Sequence, residues 1–501
     1  MNGARSQVQG QTLVVAMASG FGLLAAAGLA FLPLKVALAA CIGIAAAVVS
    51  ALRLEYGLGL LFAMVIFFSD TGEGIPGRNL VMFDPDPPGL PPATVSFLLF
   101  MAGLTFLRRI LLERRKSLVS PWAMLAFAGI VALSWLTGKA GGWAAEDIAL
   151  DATRWIFPLA CWFVCVNVLD SHERIWRVLV VVFAVCAVKA VLLLAFWAAG
   201  RGFLYENYSI VSRDSAELMA FSAMVLAATA LLASGRVRGL NRMVLVAGSL
   251  PMLMAVVFSF RRGHWLGLVM GLGLLWLWSD RASRMRLARM ALLGVLLALP
   301  VGIMAAAYSE KGITGTVARI GERFTTIFDN RQYSNVHHRL ESWVTLQDIM
   351  EQPLRGLGLG SHHSPVPSAF VQGWQEEDQP TEVVHNGFLY LWMKLGLPGL
   401  LFALWLGWRT LRRLRSFRRD MPDNPARPLI VGLSSVFGVW LLMLLTGPVF
   451  SYRHQSYLVV LFLVLIGNLL ALEEHRAALA GHGTAPHASE SAAAPGAART
   501  I

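Results

Sequence analysis

Fourteen apolar runs set the strongest limit on what this chain can fold into. They fall near residues 12–32, 36–53, 56–69, 93–112, 121–137, 153–169, 178–198, 215–233, 243–260, 264–278, 289–308, 386–408, 429–447 and 456–472. A helix crosses the hydrocarbon core of a bilayer in roughly 17–25 residues. Most of the runs reach that length, so the chain reads as an all-α polytopic membrane protein with about 12–14 transmembrane helices. Composition agrees: 14% of the residues are charged, where a soluble protein carries about 25%. The runs at 56–69 and 264–278 are short and are expected to be tilted, broken or re-entrant. The first run is followed at once by a second, which marks it as an uncleaved span rather than a signal peptide.

Orientation follows from the loops, because short cytoplasmic loops concentrate Lys and Arg. Arg108, Arg109, Arg114, Arg115 and Lys116 mark one such loop, Arg236, Arg238 and Arg242 a second, and Arg281, Arg284, Arg286 and Arg289 a third. The stretch from Arg409 to Arg427 holds seven arginines. Alternate loops carry acids instead, Asp84 and Asp86 in one and Glu146, Asp147 and Asp151 in the next. Fourteen spans put every basic loop on one side, so both termini are expected to be cytoplasmic. The net charge of +12 then reflects loop topology, and no nucleic-acid partner is implied. Cys41, Cys161, Cys165 and Cys186 lie inside apolar runs, where a free thiol acts as a small packing residue.

The division that results is 1–308 with about eleven spans, a periplasmic loop domain at 309–385, three spans over 386–472, and a cytoplasmic tail at 473–501. The loop is too long for a simple connection, and helical periodicity is expected over 317–328 and 336–350, the second helix stopped by Pro353. The tail is rich in Ala, Gly, Pro, Ser and His and lacks the apolar weight to fold.

Candidate chemistry gathers around this external loop. His385 stands where the loop re-enters the membrane, a position in which it can take a proton near neutral pH. The plainer alternative is an interfacial residue that caps a helix together with Asn386. Arg261 and Arg262 interrupt an apolar stretch on the same outer side, at a cost of at least about 2.5 kcal/mol each on insertion scales. They either snorkel to the headgroups or grip the oxygens of an anionic ligand such as a diphosphate. Arg339 shares a helix face with Trp343, four residues on, and alternatively pairs with Glu341. His337 and His338 point about 100° apart on a helix and make a poor metal pair, so no metal is expected there. His338 stays a substrate-binding candidate. The glycines of the stretch from Arg355 to Gly360 permit a tight turn, and as a nucleotide fingerprint it is weak without a strand before it. Lys189 lies deep in an apolar run, where a buried ammonium needs a partner.

Taken together these pieces resemble the O-antigen ligase and polymerase superfamily of bacterial membrane glycosyltransferases. Its ligases share His, then Asn, Ser or Gln, nine residues, Gly, two residues, and Gly, Thr or Tyr. Here that pattern is His385-Asn386, Gly387 to Leu395, Gly396, Leu397-Pro398 and Gly399. An Arg-Gly at the outer edge of a span matches Arg262-Gly263, and an Arg, three residues, Trp and a Gly-rich turn match Arg339, Trp343 and Gly356 to Ser361. The resemblance covers roughly residues 240 to 410. It implies a GT-C-like fold and a donor glycan carried on undecaprenyl diphosphate at the outer face of the bacterial inner membrane. It also implies transfer without a metal or other cofactor, the external loop containing no Asp-x-Asp. On that reading His385 takes the proton of the acceptor hydroxyl, while Arg262, Arg339 and Arg261 stabilise the leaving diphosphate. In-line attack inverts the anomeric centre. The acceptor is lipid A–core for a ligase, or another carrier-linked repeat for a polymerase. A transporter or flippase of lipid-linked sugars is the rival from another class, although no second half mirrors the first as alternating access requires.

Overall fold

The structure, a computed structural model, describes residues 34–67, 93–113, 121–198, 217–307, 333–366, 384–447, 449–450 and 453–482. Among these residues the regular structure is helical throughout. The helices are α1 (Leu34–Leu52), α2 (Leu54–Phe67), α3 (Ala93–Thr105, continued by a π-helical turn Phe106–Leu112), α4 (Pro121–Ala140), α5 (Ala145–Val168) and α6 (His172–Ala198). There follow α7 (Glu217–Ser234), α8 (Gly239–Phe258), α9 (Arg262–Trp278), α10 (Arg281–Ala307), α11 (Tyr333–Glu351), α12 (Gly387–Asp420), α13 (Arg427–Ser434), α14 (Val436–Thr446) and α15 (Arg453–His482).

Among the described residues nine helical segments are long and apolar enough to cross a membrane, so the chain is a multi-pass membrane protein. Thirteen of the fourteen runs correspond to helices, and the run at 12–32 lies outside the described residues. At 1.5 Å per residue the 14 residues of α2 rise only about 21 Å, short of a full span. The expected helix at 317–328 and the acids Glu376 to Asp378 also lie outside the described residues.

One end of the sequence needs correction. The tail was expected to begin at residue 473, but α15 continues to His482. Polar anchoring explains the extra turns: Glu473 is buried against His172 and accepts from Asn424 Nδ2 at 2.7 Å, and Glu474 pairs with Arg413 at 2.7 Å.

Burial sorts the helices into an interior and a lipid-facing belt. α7 is buried along nearly its whole length, and Leu458, Leu461, Phe462, Leu465 and Leu469 of α15 are closed off from any solvent. Trp122, Leu240, Met243, Val269 and Leu277 are exposed instead. A soluble protein would aggregate through such a belt; in a bilayer it is the surface that lipid solvates. Cys161, Cys165 and Cys186 are buried free thiols within the core.

Small residues set a close contact between α9 and α14. Gly263, Gly267 and Gly271 repeat every four residues and form one stripe on α9. A Cβ added at each would meet, in turn, Thr446 Oγ1 at 3.2 Å, the Val439 backbone at 3.2 Å and the Ser435 carbonyl at 3.1 Å. The stripe therefore runs antiparallel down α14, the small-residue packing that brings helix backbones together in membranes. It fixes the start of α9 beside the last turn of α14. At the other end of α9, Arg418 stacks over Trp278 at 5.8 Å. The basic loops collect at that end too, Arg236 donating to the Asn424 and Asp423 carbonyls and Arg286 to the Ala233 carbonyl.

Candidate active site

The start of α12 is built by local capping. Asn386 Oδ1 accepts from the backbone N–H groups of Phe388 and Leu389, both at 3.1 Å. This cap satisfies two of the orphan donors of a helix N-terminus and fixes the preceding residue, His385, at the helix mouth. The capping alternative is thus correct for Asn386 and does not account for His385.

His385 is held by α11. That helix buries Glu341, Thr345 and Ile349, one residue every four, and so turns a carboxylate into an otherwise packed face. Glu341 Oε2 lies 2.9 Å from His385 Nδ1, and Oε1 accepts the His385 backbone N–H at 3.1 Å. His338, one turn earlier, approaches Oε2 at 3.4 Å, and buried His363 stands 3.8 Å from Oε1. The His338 and His385 rings are in contact, centroids 3.9 Å apart with their planes tilted by 32°. Burial alone would raise the pKa of the Glu341 carboxyl, but the hydrogen bonds from His338 and His385 outweigh it and lower the value to about 2. At neutral pH Glu341 is an anion. Accepting from His385 Nδ1–H, it selects the tautomer whose Nε2 carries the lone pair. With its side chain 36% exposed, His385 remains open to a reactant.

The Gly-rich turn lies under the helix mouth. Leu357 and Gly358 donate to the Met393 carbonyl, Leu359 to the Ser134 carbonyl, and Leu397 to the Leu354 carbonyl. Gly360 N–H donates to Asp151 Oδ2 at 2.7 Å. The turn's N–H groups face protein acceptors, so in this arrangement it is a brace and not a phosphate cradle. Opposite it α12 breaks at Gly396, whose φ of 67° and ψ of −177° leave the helical region. Lys394, wholly buried, donates to Asp151 at 2.6 Å and to the Ser361 carbonyl. Arg154 pairs with the other oxygen of Asp151 at 2.6 Å. This buried group ties α5, α12 and the turn into one support for His385.

The arginines occupy neighbouring positions. Arg261 and Arg262 open α9 after a sharp corner at Phe260, whose φ of 53° is unusual for a residue with a side chain. Trp265 Nε1 holds the corner by donating to the Val256 and Val257 carbonyls at 2.9 and 3.0 Å. Gly263 meets Thr446, and an added Cβ at Gly387 would lie 2.7 Å from Leu444. The N-termini of α9 and α12 therefore both abut the last turn of α14. This brings Arg262 and His385 to one end of the bundle, with two positive helix ends beside them. Arg339 is exposed on α11, two residues before Glu341, and shares its face with exposed Trp343.

Lys189 belongs elsewhere. Its ammonium donates to the Ile66 and Phe67 carbonyls at the end of α2, at 2.8 and 3.2 Å, and lies 3.5 Å from buried Glu217. These contacts join α2, α6 and α7. Four residues of the site have no counterpart in the sequence reading: Glu341 as the partner of His385, His363, and the Asp151–Lys394 pair. Lys394 carried a signal, being an ionisable residue inside an apolar run like Lys189. Glu341 carried none.

No curated protein matches the chain. The family model described as O-antigen ligase matches residues 247–404, from within α8 to within α12. The matched segment contains His338, Glu341, His385, Lys394 and both arginines of the α9 corner, and it supports glycan ligation or polymerisation as the general activity. On this match, which spans about a third of the chain, residues 247–404 are similar to the O-antigen ligase family.

Proposed function

We propose that the protein transfers a glycan from undecaprenyl diphosphate to an acceptor hydroxyl at the periplasmic face of the inner membrane, and that the acceptor is lipid A–core. The observation that carries this reading is the Glu341–His385 pair at the mouth of α12, 2.9 Å between Nδ1 and Oε2. An acceptor hydroxyl is a poor nucleophile until it loses its proton. His385 Nε2 takes that proton as the oxygen attacks the anomeric carbon. Glu341 fixes the tautomer and stabilises the imidazolium that results.

The C–O bond to the carrier breaks on the opposite face of the sugar, leaving a diphosphate with an added negative charge. Arg262 and Arg261, at the N-terminus of α9, supply fixed positive charge there, and Arg339 adds a third guanidinium from the loop. Charge that is already oriented replaces the metal ion other glycosyltransferases use, so transfer proceeds without one. His338 lies against the His385 ring, centroids 3.9 Å apart, and limits its movement. The attack is in line and inverts the anomeric configuration.

The test uses the purified full-length protein with a carrier-linked glycan and lipid A–core. His385→Ala is expected to abolish transfer while the chain stays folded; undiminished transfer removes His385 as the base. Arg262→Ala and Arg339→Ala are expected to weaken use of the donor. Deleting the gene separates the acceptors on a lipopolysaccharide gel. Loss of all attached chains with accumulation of carrier-linked polymer marks a ligase. Attachment of a single repeat marks a polymerase and overturns the lipid A–core assignment.

A further inference from the structure

The cluster that positions His385 has the composition of a transition-metal site. His338, Glu341 and His385 each present one ligand atom, and these atoms lie within 4.8 Å of one another. Tetrahedral coordination at about 2.0–2.1 Å needs ligand atoms a little over 3 Å apart. Oε2 of Glu341 stands 2.9 Å from His385 Nδ1 and 3.4 Å from His338 Nδ1. Two imidazoles and a carboxylate form the His2Glu donor set of open zinc sites, and the nitrogen donors disfavour Mg2+ and Ca2+. His338 and Glu341 are three residues apart on one helix, so α11 alone presents two ligands to the same side. His363 lies 3.8 Å from the other oxygen of Glu341 and helps keep the carboxylate in place.

We infer that His338, Glu341 and His385 bind one Zn2+ ion, and that its binding switches off transfer. The inference rests on reading His385 as the base. The chemistry turns on which ring nitrogen the metal takes. In the metal-free site Nδ1 holds the proton, donated to Glu341, and Nε2 holds the lone pair that accepts the substrate proton. Zn2+ faces Nδ1 and takes the lone pair there, so the single proton of the neutral ring moves to Nε2. The base becomes a hydrogen-bond donor. His338 Nδ1 already faces Glu341, so the proton of that neutral ring likewise moves to Nε2 when Nδ1 takes the ion. Coordination leaves at least one position for water, so the ion can enter and leave from the exposed side.

Untagged full-length protein in detergent is titrated with Zn2+ by calorimetry, with transfer activity measured on the same samples. The expected result is one Zn2+ per chain, with binding weakened at least about tenfold in His338→Ala. Saturating Zn2+ is expected to suppress wild-type transfer more than tenfold, and EDTA to restore it. Co2+ gives a readout that needs no variant: tetrahedral coordination produces intense visible d–d bands, and an unchanged octahedral aquo spectrum overturns the site. Equal Zn2+ binding by wild type and His338→Ala also overturns it. Binding without inhibition, or with stimulation, overturns the switch. Should His385→Ala retain transfer, the base reading fails by itself, and calorimetry still decides whether the metal site exists.

Discussion

His385 meets Glu341 with two donors at once, its backbone N–H 3.1 Å from Oε1 and its ring Nδ1 2.9 Å from Oε2. The contact fixes both the position of the residue and the tautomer of its ring. Glu341→Gln keeps the size but lets the amide NH2 turn toward Nδ1, which selects the wrong tautomer. Transfer is expected to fall on the order of 10²- to 10⁴-fold in kcat. KM for the lipid-linked donor should stay within about twofold, because a positioning residue acts in the transition state rather than in ground-state binding. Steady-state kinetics on the purified variant separate the two. A rise in KM at constant kcat would make Glu341 part of the donor site instead.

The helical bundle was legible because apolar runs of spanning length have few alternatives in a bilayer, and α3 to α8 fall on the predicted runs. His385, Asn386 and the bend at Gly396 were legible because a cap, a histidine and a Gly-Pro pair act within a few residues of chain. Glu341 was not. Its meaning depends on docking α11 against the start of α12, 44 residues further along. The Asp151–Lys394 pair joins positions 243 apart, and no local pattern marks which acid a buried lysine will find. The partners of Lys189 were hidden for the same reason: the sequence showed a cation that needs a partner and no sign that the partners would be Glu217 and the end of α2.

Gly396 is expected to tolerate no side chain. With φ at 67° and ψ at −177° it occupies a region open essentially to glycine alone. An added Cβ would also lie 2.5 Å from the Arg355 carbonyl oxygen and 2.8 Å from that of Leu354. Gly396→Ala should lower stability by about 1–3 kcal/mol from strain, with the clash in addition, and should release the turn that supports His385. Gly407, in the same helix, has nothing within 4 Å of an added Cβ. Gly407→Ala should leave the thermal midpoint unchanged or raise it slightly. Equal midpoints for the two variants would contradict the break at Gly396.

Docking of α11 should depend on pH through Glu341. Its pKa falls from the ordinary 4.5 to about 2; burial opposes the change, and the hydrogen bonds from His338 and His385 outweigh it. For a group with a depressed folded-state value, the contribution to stability is fully present above the unfolded value and is lost as pH falls through the folded one. The stabilisation is therefore expected to be constant above pH about 4.5 and to disappear between there and about 2. Hydrogen exchange of α11 amides measures it, taken as wild type minus Glu341→Gln. A difference that persists unchanged at the acid end would rule out ionisation of Glu341 as the source.

The two buried lysines should separate scaffold from site. Removing one partner of a buried ion pair costs about 3–5 kcal/mol, whereas replacing both with neutral groups of similar size is often nearly free. Lys189 is 2% exposed beside Glu217, itself 0% exposed. Lys189→Met is expected to lower the unfolding midpoint, and Lys189→Met with Glu217→Gln to regain most of it. Transfer per folded molecule should be unchanged in both, since α2, α6 and α7 hold none of the groups around His385. Lys394→Met leaves Asp151 paired with Arg154, so its loss of stability should lie toward the lower end of the same range. It should nevertheless lower transfer per folded molecule, because the contact to the Ser361 carbonyl braces the turn beneath the helix mouth. Thermal unfolding in detergent and transfer normalised to folded protein are measured on the same samples. Lost transfer at an unchanged midpoint in Lys189→Met would move Lys189 from the scaffold to the substrate path.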